Sequence, residues 1–268
     1  MARDGWIIAI ASAHALTAPV FSRDDGAATP DLRTEPRARL SLAPYVWMPS
    51  LRGDVGAGRV RSSLDVSFID VVEGTDEIVA AMGTIDYGTS DWGLFVDVRR
   101  VELSDSSAVG RSMGAPVSLD VDFTVGVYEF GGRRRVGAAP AEPAGMIAPG
   151  VSLLAGVRAT RVDLDLGLGR LPLVDASETW LEPFVGASWN TTLGDGWGLR
   201  LRGDVGGFGI GSELSLQGQA ALVWEPGWFG GSTVVYLGYR ALYQDYEQDS
   251  FAWDMLLHGP MLGVGVRF

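Results

Sequence analysis

The sequence predicts an all-β protein, a transmembrane antiparallel up-and-down β-barrel of about twelve strands, with ten or fourteen as the alternatives. Three observations lead there. Apolar and polar residues alternate with a period of two from Leu40 to Phe268, as in "PVSLDVDFTVGVYEF", where Val117, Leu119, Val121, Phe123, Val125 and Val127 share one phase. Many alternating runs reach about 12 residues, longer than the 5 or 6 usual in soluble sheets and enough for the 9 to 11 of a tilted membrane crossing. Tyr45, Trp47, Tyr87, Trp92, Trp180, Trp189, Trp197, Trp224 and Trp253 fall near run ends, where aromatic girdles form.

Taken in order, "GWIIAIASAHALTAPVF" follows Arg3 and carries small-residue cleavage patterns, so residues 1–21 read as a secretory signal. Residues 22–38 are polar and aperiodic and read as a disordered lead-in. Residues 39–268 then form one barrel domain, with strands near 40–48, 51–56, 59–68, 77–88, 92–103, 115–130, 149–166, 178–193, 196–208, 212–225, 231–243 and 252–268. One short helix is expected near 69–77. Turn chemistry at Gly88–Asp91, Gly194–Gly196 and Pro226–Gly227 separates strands on one side of the membrane, and the segments near 168–177 and 245–250 fall on the other. The long 131–148 segment lies on the short-turn side. In "FAWDMLLHGPMLGVGVRF", Trp253, Met255 and Leu257 occupy one phase and Leu262, Val264, Val266 and Phe268 the other, which predicts a β-bulge at Gly259–Pro260.

Composition narrows the functions. A formal charge of -12 argues against a nucleic-acid partner, and zero cysteines exclude disulfides, thiolate metal sites and a cysteine nucleophile. No apolar run after the N-terminus reaches the roughly 18 residues of a helical span, so only strands can cross a bilayer. If the apolar phase meets lipid, the charged phase lines the lumen. That reasoning assigns to the lumen Asp97; Asp120 and Asp122; Arg158, Asp163 and Asp165; Glu182; Arg200, Arg202 and Asp204; Arg240; and Asp254 with His258. The acids outnumber the bases in this set and predict a mild preference for cations. Two Arg-Gly-Asp triplets, at 52–54 and 202–204, invite an adhesion reading, but alternation puts Arg202 and Asp204 on one wall as an ion pair. Neither a cofactor nor a metal site is expected.

The alternation closing on Phe268 resembles the C-terminal strand of Gram-negative outer-membrane barrels. Stretches such as "PYVWMPSLRGDVG", "ETWLEPFVGASW", "LRGDVGGFGIGS" and "GYRALYQDYEQDSFAWDMLLHGPMLGVGVRF" are similar to those of a widespread, functionally uncharacterised family of such barrels. The resemblance implies residence in the outer membrane, contact with its lipid, and recognition of Phe268 by the barrel assembly machinery. It implies no substrate.

The expectation is therefore a monomeric outer-membrane barrel, either a narrow passive channel for small solutes or cations or a structural membrane protein. Two alternatives stand beside it: an outer-membrane enzyme using a lumenal His258, and a soluble periplasmic β-sandwich or barrel that binds a ligand.

Overall fold

A computed structural model describes residues 6–8, 38–57, 60–75, 77–112, 115–137, 147–168 and 171–268. Its strands are β1 (Trp6–Ile8), β2 (Arg39–Trp47), β3 (Ser50–Ala57), β4 (Val60–Val66), β5 (Glu77–Gly88), β6 (Trp92–Ser112), β7 (Ala115–Val136), β8 (Gly150–Leu168), β9 (Leu171–Gly194), β10 (Trp197–Ile210), β11 (Ser212–Trp224), β12 (Thr233–Gln248) and β13 (Phe251–Arg267). Helix α1 spans Phe68–Gly74.

Ten of these strands close a ring. β5 to β13 pair antiparallel in sequence order, and β2 seals the seam by pairing with β13 on one edge and β5 on the other. At the seam Phe268 donates its N–H to Leu40 O at 2.8 Å. Two of the twelve expected strands, at 51–56 and 59–68, instead form the hairpin β3–β4 outside the ring. β3 keeps the register of β2 along β13, with Trp47 opposite Met261 and Ser50 opposite His258, so β2 and β3 are one strand interrupted at Met48–Pro49. Pro49 lacks the N–H that would continue the ladder. β1 lies parallel to Ile78–Ala80, within the stretch read as a signal; nearly all of 1–38 lies outside the described residues.

Ser67 caps α1: its side chain accepts from Asp70 N and the Asp70 carboxylate accepts from Ser67 N, a capping box. This places the helix one to three residues earlier than the expected 69–77. Asp76 is outside the described residues.

β6, β7, β8 and β9 have 21, 22, 19 and 24 residues. At about 3.3 Å per residue the longest extends roughly 80 Å, far more than a tilted crossing needs. The tight turns at 88–92 and 194–197 and both ends of the ring, Arg39 and Phe268, share one end, here called proximal. The long strands project past the other, distal end.

The two halves of the wall have opposite polarity. On the outward face of β8, Val151, Leu153 and Val157 are exposed, and farther along the same face Arg161 and Asp165 are exposed. Its inward face runs the other way, from Ser152 and Arg158 to Val162, which is 1% exposed. The proximal half thus has the apolar exterior of a membrane barrel, and the distal half the apolar interior of a soluble one.

This inversion corrects two expectations. On β7 the odd phase points inward: Val125, Val127 and Glu129 are buried, while Asp122 is exposed. On β13 there is no bulge, because pairing with β12 runs unbroken through Tyr239 and Pro260. The phase change expected there is a change of solvent outside a continuous strand. Gly259 matters at this point for another reason, since a Cβ would stand 1.9 Å from Met48 O where the broken β2–β3 strand crosses close by.

Candidate functional site

The interior is layered along the barrel axis: a proximal vestibule, a polar plug and a distal apolar chamber. The plug is built by inward positions of β6 to β12 and β2. Four carboxylates, Asp97, Glu129, Glu182 and Asp204, are answered by four guanidiniums, Arg99, Arg158, Arg202 and Arg240. Arg158, without exposed surface, donates from Nε to Glu129 Oε1 at 3.0 Å, from Nη1 to Glu182 Oε1 at 3.0 Å and from Nη2 to Asp204 Oδ1 at 2.5 Å. Arg202 Nη2 reaches Glu129 Oε2 at 2.8 Å, and Arg99 donates to both Glu129 and Gln217. Arg240 Nη1 reaches Tyr45 OH at 2.7 Å, and that hydroxyl donates to Asp97 at 2.9 Å, where Thr84 Oγ1 also donates at 2.6 Å.

Aromatic faces complete the layer. The Arg158 guanidinium lies 5.0 Å from the Phe184 ring centre and that of Arg202 5.1 Å from Phe95. Buried charge is tolerated only when paired and hydrogen-bonded, and each of these eight side chains has at least one ion-pair partner among the others, with Tyr45, Thr84, Ser215 and Gln217 adding hydrogen bonds. Equal numbers of each sign leave the plug without net charge.

Distal to the plug, Val125, Val127, Val162, Trp180, Leu242, Trp253 and Met255 fill the interior, with Trp180 stacked on Tyr246 at 4.3 Å. A cavity of about 230 Å³ remains beside Trp47, Phe68, Val71 and Met82. Proximal to the plug, a vestibule of about 380 Å³ is lined by Arg39, Arg133, Arg135, Arg200 and Arg267, with Asp86 among them.

The structure places the expected lumenal residues as follows. Asp97, Arg158, Glu182, Arg202, Asp204 and Arg240 meet in the plug, and Arg200 lies in the vestibule. Asp122, Asp163, Asp165, Asp254 and His258 are not lumenal. They stand on the outward face, because the strands have left the apolar belt at that height and water is outside. Asp163 there pairs with Arg161 at 2.8 Å, which holds its carboxyl below the usual range. His258 Nδ1 lies 2.6 Å from the Tyr239 hydroxyl, also on the outer surface. The side chain of Asp120 lies outside the described residues. With these acids outside, the excess of lumenal acid that suggested cation preference is gone. Of the two Arg-Gly-Asp triplets, 202–204 is in the plug and Arg52 and Asp54 face outward.

Glu129 was missed, although a signal for it exists. It is an acid on the apolar phase of "VDFTVGVYEF", just as Asp97 and Arg99 share a phase with Val101 and Leu103. A charge appearing on an apolar phase marks the height at which the wall changes sides. Among the described residues no group of three or more His, Asp or Glu is arranged to hold a metal.

A closed, ten-stranded antiparallel ring with an apolar belt outside and paired charges inside defines the transmembrane β-barrel class. No protein-family model and no curated protein matches the chain. Among solved structures it is similar to Ail, the attachment invasion locus protein of Yersinia pestis, in complex with the heparin analogue sucrose octasulfate: 15% identity, 86% of this chain and 97% of that one, TM-score 0.36. The translocator domain of autotransporter NalP from Neisseria meningitidis has 16% identity over 86% and 89% of the two chains, TM-score 0.36. A Pseudomonas aeruginosa FadL homologue has 9% identity over 86% and 89%, TM-score 0.26. The likeness is one of barrel architecture, and nothing about function passes with it.

Proposed function

We propose that the protein is a monomeric outer-membrane β-barrel of a Gram-negative bacterium that serves as a closed structural barrel and not as an open channel. The observation that carries this reading is the plug, in which Arg158 bridges Glu129, Glu182 and Asp204 from three other strands at the centre of the bore. A ten-stranded ring encloses much less space than the 16 to 18 strands that leave a water-filled pore. Here the available space is filled by hydrogen-bonded side chains.

The exterior supports the membrane location. Leu153, Leu181, Leu237 and Leu262 each have more than half of their surface exposed, a pattern suited to lipid and costly in water. The proximal end, carrying the tight turns, faces the periplasm in this reading, and Phe268 is the residue offered to the assembly machinery. His258, on which the enzyme alternative rests, faces away from the lumen with Tyr239 as its hydrogen-bond partner, so the lumenal site of that alternative finds no support here.

Planar-bilayer recording tests the proposal. The purified full-length protein is expected to leave the bilayer silent, while membrane fractionation and heat-modifiable gel mobility show a folded integral barrel. Large, porin-like steps from the unmodified protein, or recovery in the soluble fraction, would refute it.

A further inference from the structure

We infer that the proximal vestibule is a binding site for a phosphate-type oxyanion, centred on Arg200. Several charges near it are already matched. Arg133 holds Asp86 in a two-pronged pair at 2.9 and 3.1 Å, and Asp97 is saturated by Tyr45, Thr84 and Arg99. Arg135 donates to the main-chain carbonyls of Ser90 and Pro149. Arg200 makes no hydrogen bond or ion pair with any described residue, yet its side chain lines the cavity from the inward face of β10. A guanidinium facing a narrow cavity with no paired acceptor leaves its donors to water, and an oxyanion replaces that water with charge-assisted, bidentate hydrogen bonds.

A second side chain beside it is also unpartnered. Asn190 stands directly across the ladder from Arg200, and its buried Oδ1 has no hydrogen-bond partner. A half-turn of the amide presents two N–H donors at that place. The phenol of Tyr236 lines the same cavity and adds a hydroxyl. Guanidinium, carboxamide and phenol bring donors to one wall of a cavity whose acid, Asp86, is already held by Arg133, a donor-rich lining that phosphate oxygens complement. The cavity, about 380 Å³, accommodates a phosphate monoester. Its opening toward the periplasm rests on the proposed function, but the site itself does not, because it is defined inside the barrel whether or not the bore conducts.

The test uses the full-length protein folded in detergent, titrated calorimetrically with inorganic phosphate at low ionic strength, with chloride as control. Saturable one-to-one binding of phosphate is expected, with Arg200→Gln weakening it at least tenfold and Tyr236→Phe and Asn190→Leu each weakening it severalfold. A second arm incubates the protein with phosphatidylglycerol and counts retained lipids by native mass spectrometry. Phosphate binding in the first arm assigns a diffusible ligand. Phosphatidylglycerol retained by the unmodified protein and lost in Arg200→Gln, without phosphate binding, assigns a lipid headgroup, and either result supports the site. Binding of neither probe overturns the inference, as does binding unchanged in an Arg200→Gln protein that keeps its heat-modifiable mobility. Should Arg200→Gln fail to fold, unchanged affinity in both Tyr236→Phe and Asn190→Leu overturns it equally.

Discussion

Arg158 stands directly across the ladder from Glu129 at the centre of the bore, its Nε 3.0 Å from Oε1, and neither side chain has any exposed surface. The pair is joined to the next two strands of the ring, β9 and β10, through Glu182 and Asp204. Its strength lies less in attraction than in what is left behind when one partner is removed.

Arg158→Ala is therefore expected to destabilise the folded barrel by about 3–5 kcal/mol, because Glu129, Glu182 and Asp204 lose a shared buried counter-charge. The temperature at which the fast-migrating folded band converts to the unfolded one should drop. The same variant opens space in the plug, so bilayer recordings should show small conductance where the unmodified protein shows none. Unchanged thermal conversion together with unchanged silence would mean that the plug holds without this residue.

Polarity inversion predicts opposite tolerances on one face of one strand. Leu153→Arg, in the outward apolar belt of β8, is expected to cost about 2–4 kcal/mol near the bilayer midplane. Arg161→Leu, farther along the same face and in water, should fall within about 0.5 kcal/mol. On β7 the matching pair is Val125→Asp, which buries a lone carboxylate between Val101 and Val162 and should abolish folding, and Asp122→Leu, which should be mild. Yields of folded barrel for the four variants measure this; comparable yields for Leu153→Arg and Arg161→Leu would contradict the placement of the belt.

Asp245, Asp254 and Asp54 lie in one outward row, each directly opposite the next across the β12–β13 and β13–β3 ladders. Burial, and then the neighbouring Asp254 carboxylate, raise Asp245 above the usual carboxylate range. A carboxyl whose folded pKa lies above its unfolded value costs stability when ionised. That cost is fully present above the folded pKa and vanishes as pH falls below the unfolded one. Asp245→Asn should thus stabilise the barrel at neutral pH by about 0.5 kcal/mol, and the gain should fade on acidification. Denaturation midpoints at pH 7 and pH 3 decide it, and a gain equal at both would show that charge is not the cause.

Deleting Phe268 removes both a terminal aromatic and the main-chain bonds that tie it to Leu40 at the seam. Lower yield of folded barrel in cells is expected, with export unaffected. Refolding into detergent separates the two causes: a normal yield there assigns the defect to assembly, and an equal defect assigns it to the lost seam bonds.

The period-two alternation from Leu40 to Phe268 was enough to determine an antiparallel barrel, and tight turns such as Gly194–Gly196 determined which end each strand leaves from. Alternation says that a strand has two faces, and it does so from neighbouring residues alone. It does not say which face is inside. On β10, which stays within the belt, the phase of Leu199 and Leu201 meets lipid and the phase of Arg202 and Asp204 meets the lumen, as the pattern suggested. On β7 and β13 the same rule failed, because apolar side chains seek lipid in the proximal half and, with water outside, the interior in the distal half. Val127 and Leu262 are both apolar for opposite reasons.

The partners of the plug were equally beyond a linear reading. Asp97, Arg99, Glu129, Arg158, Asp204 and Arg240 come from five strands, and only ring closure decides that four acids and four arginines arrive at one height. Arg200 shows the same limit from the other side. It shares the inward phase of β10 with Arg202, two residues away, yet Arg202 meets Glu129 and Asp204 while Arg200 meets no carboxylate among the described residues. That difference is set by what the opposite wall presents at each level, a property of tertiary structure.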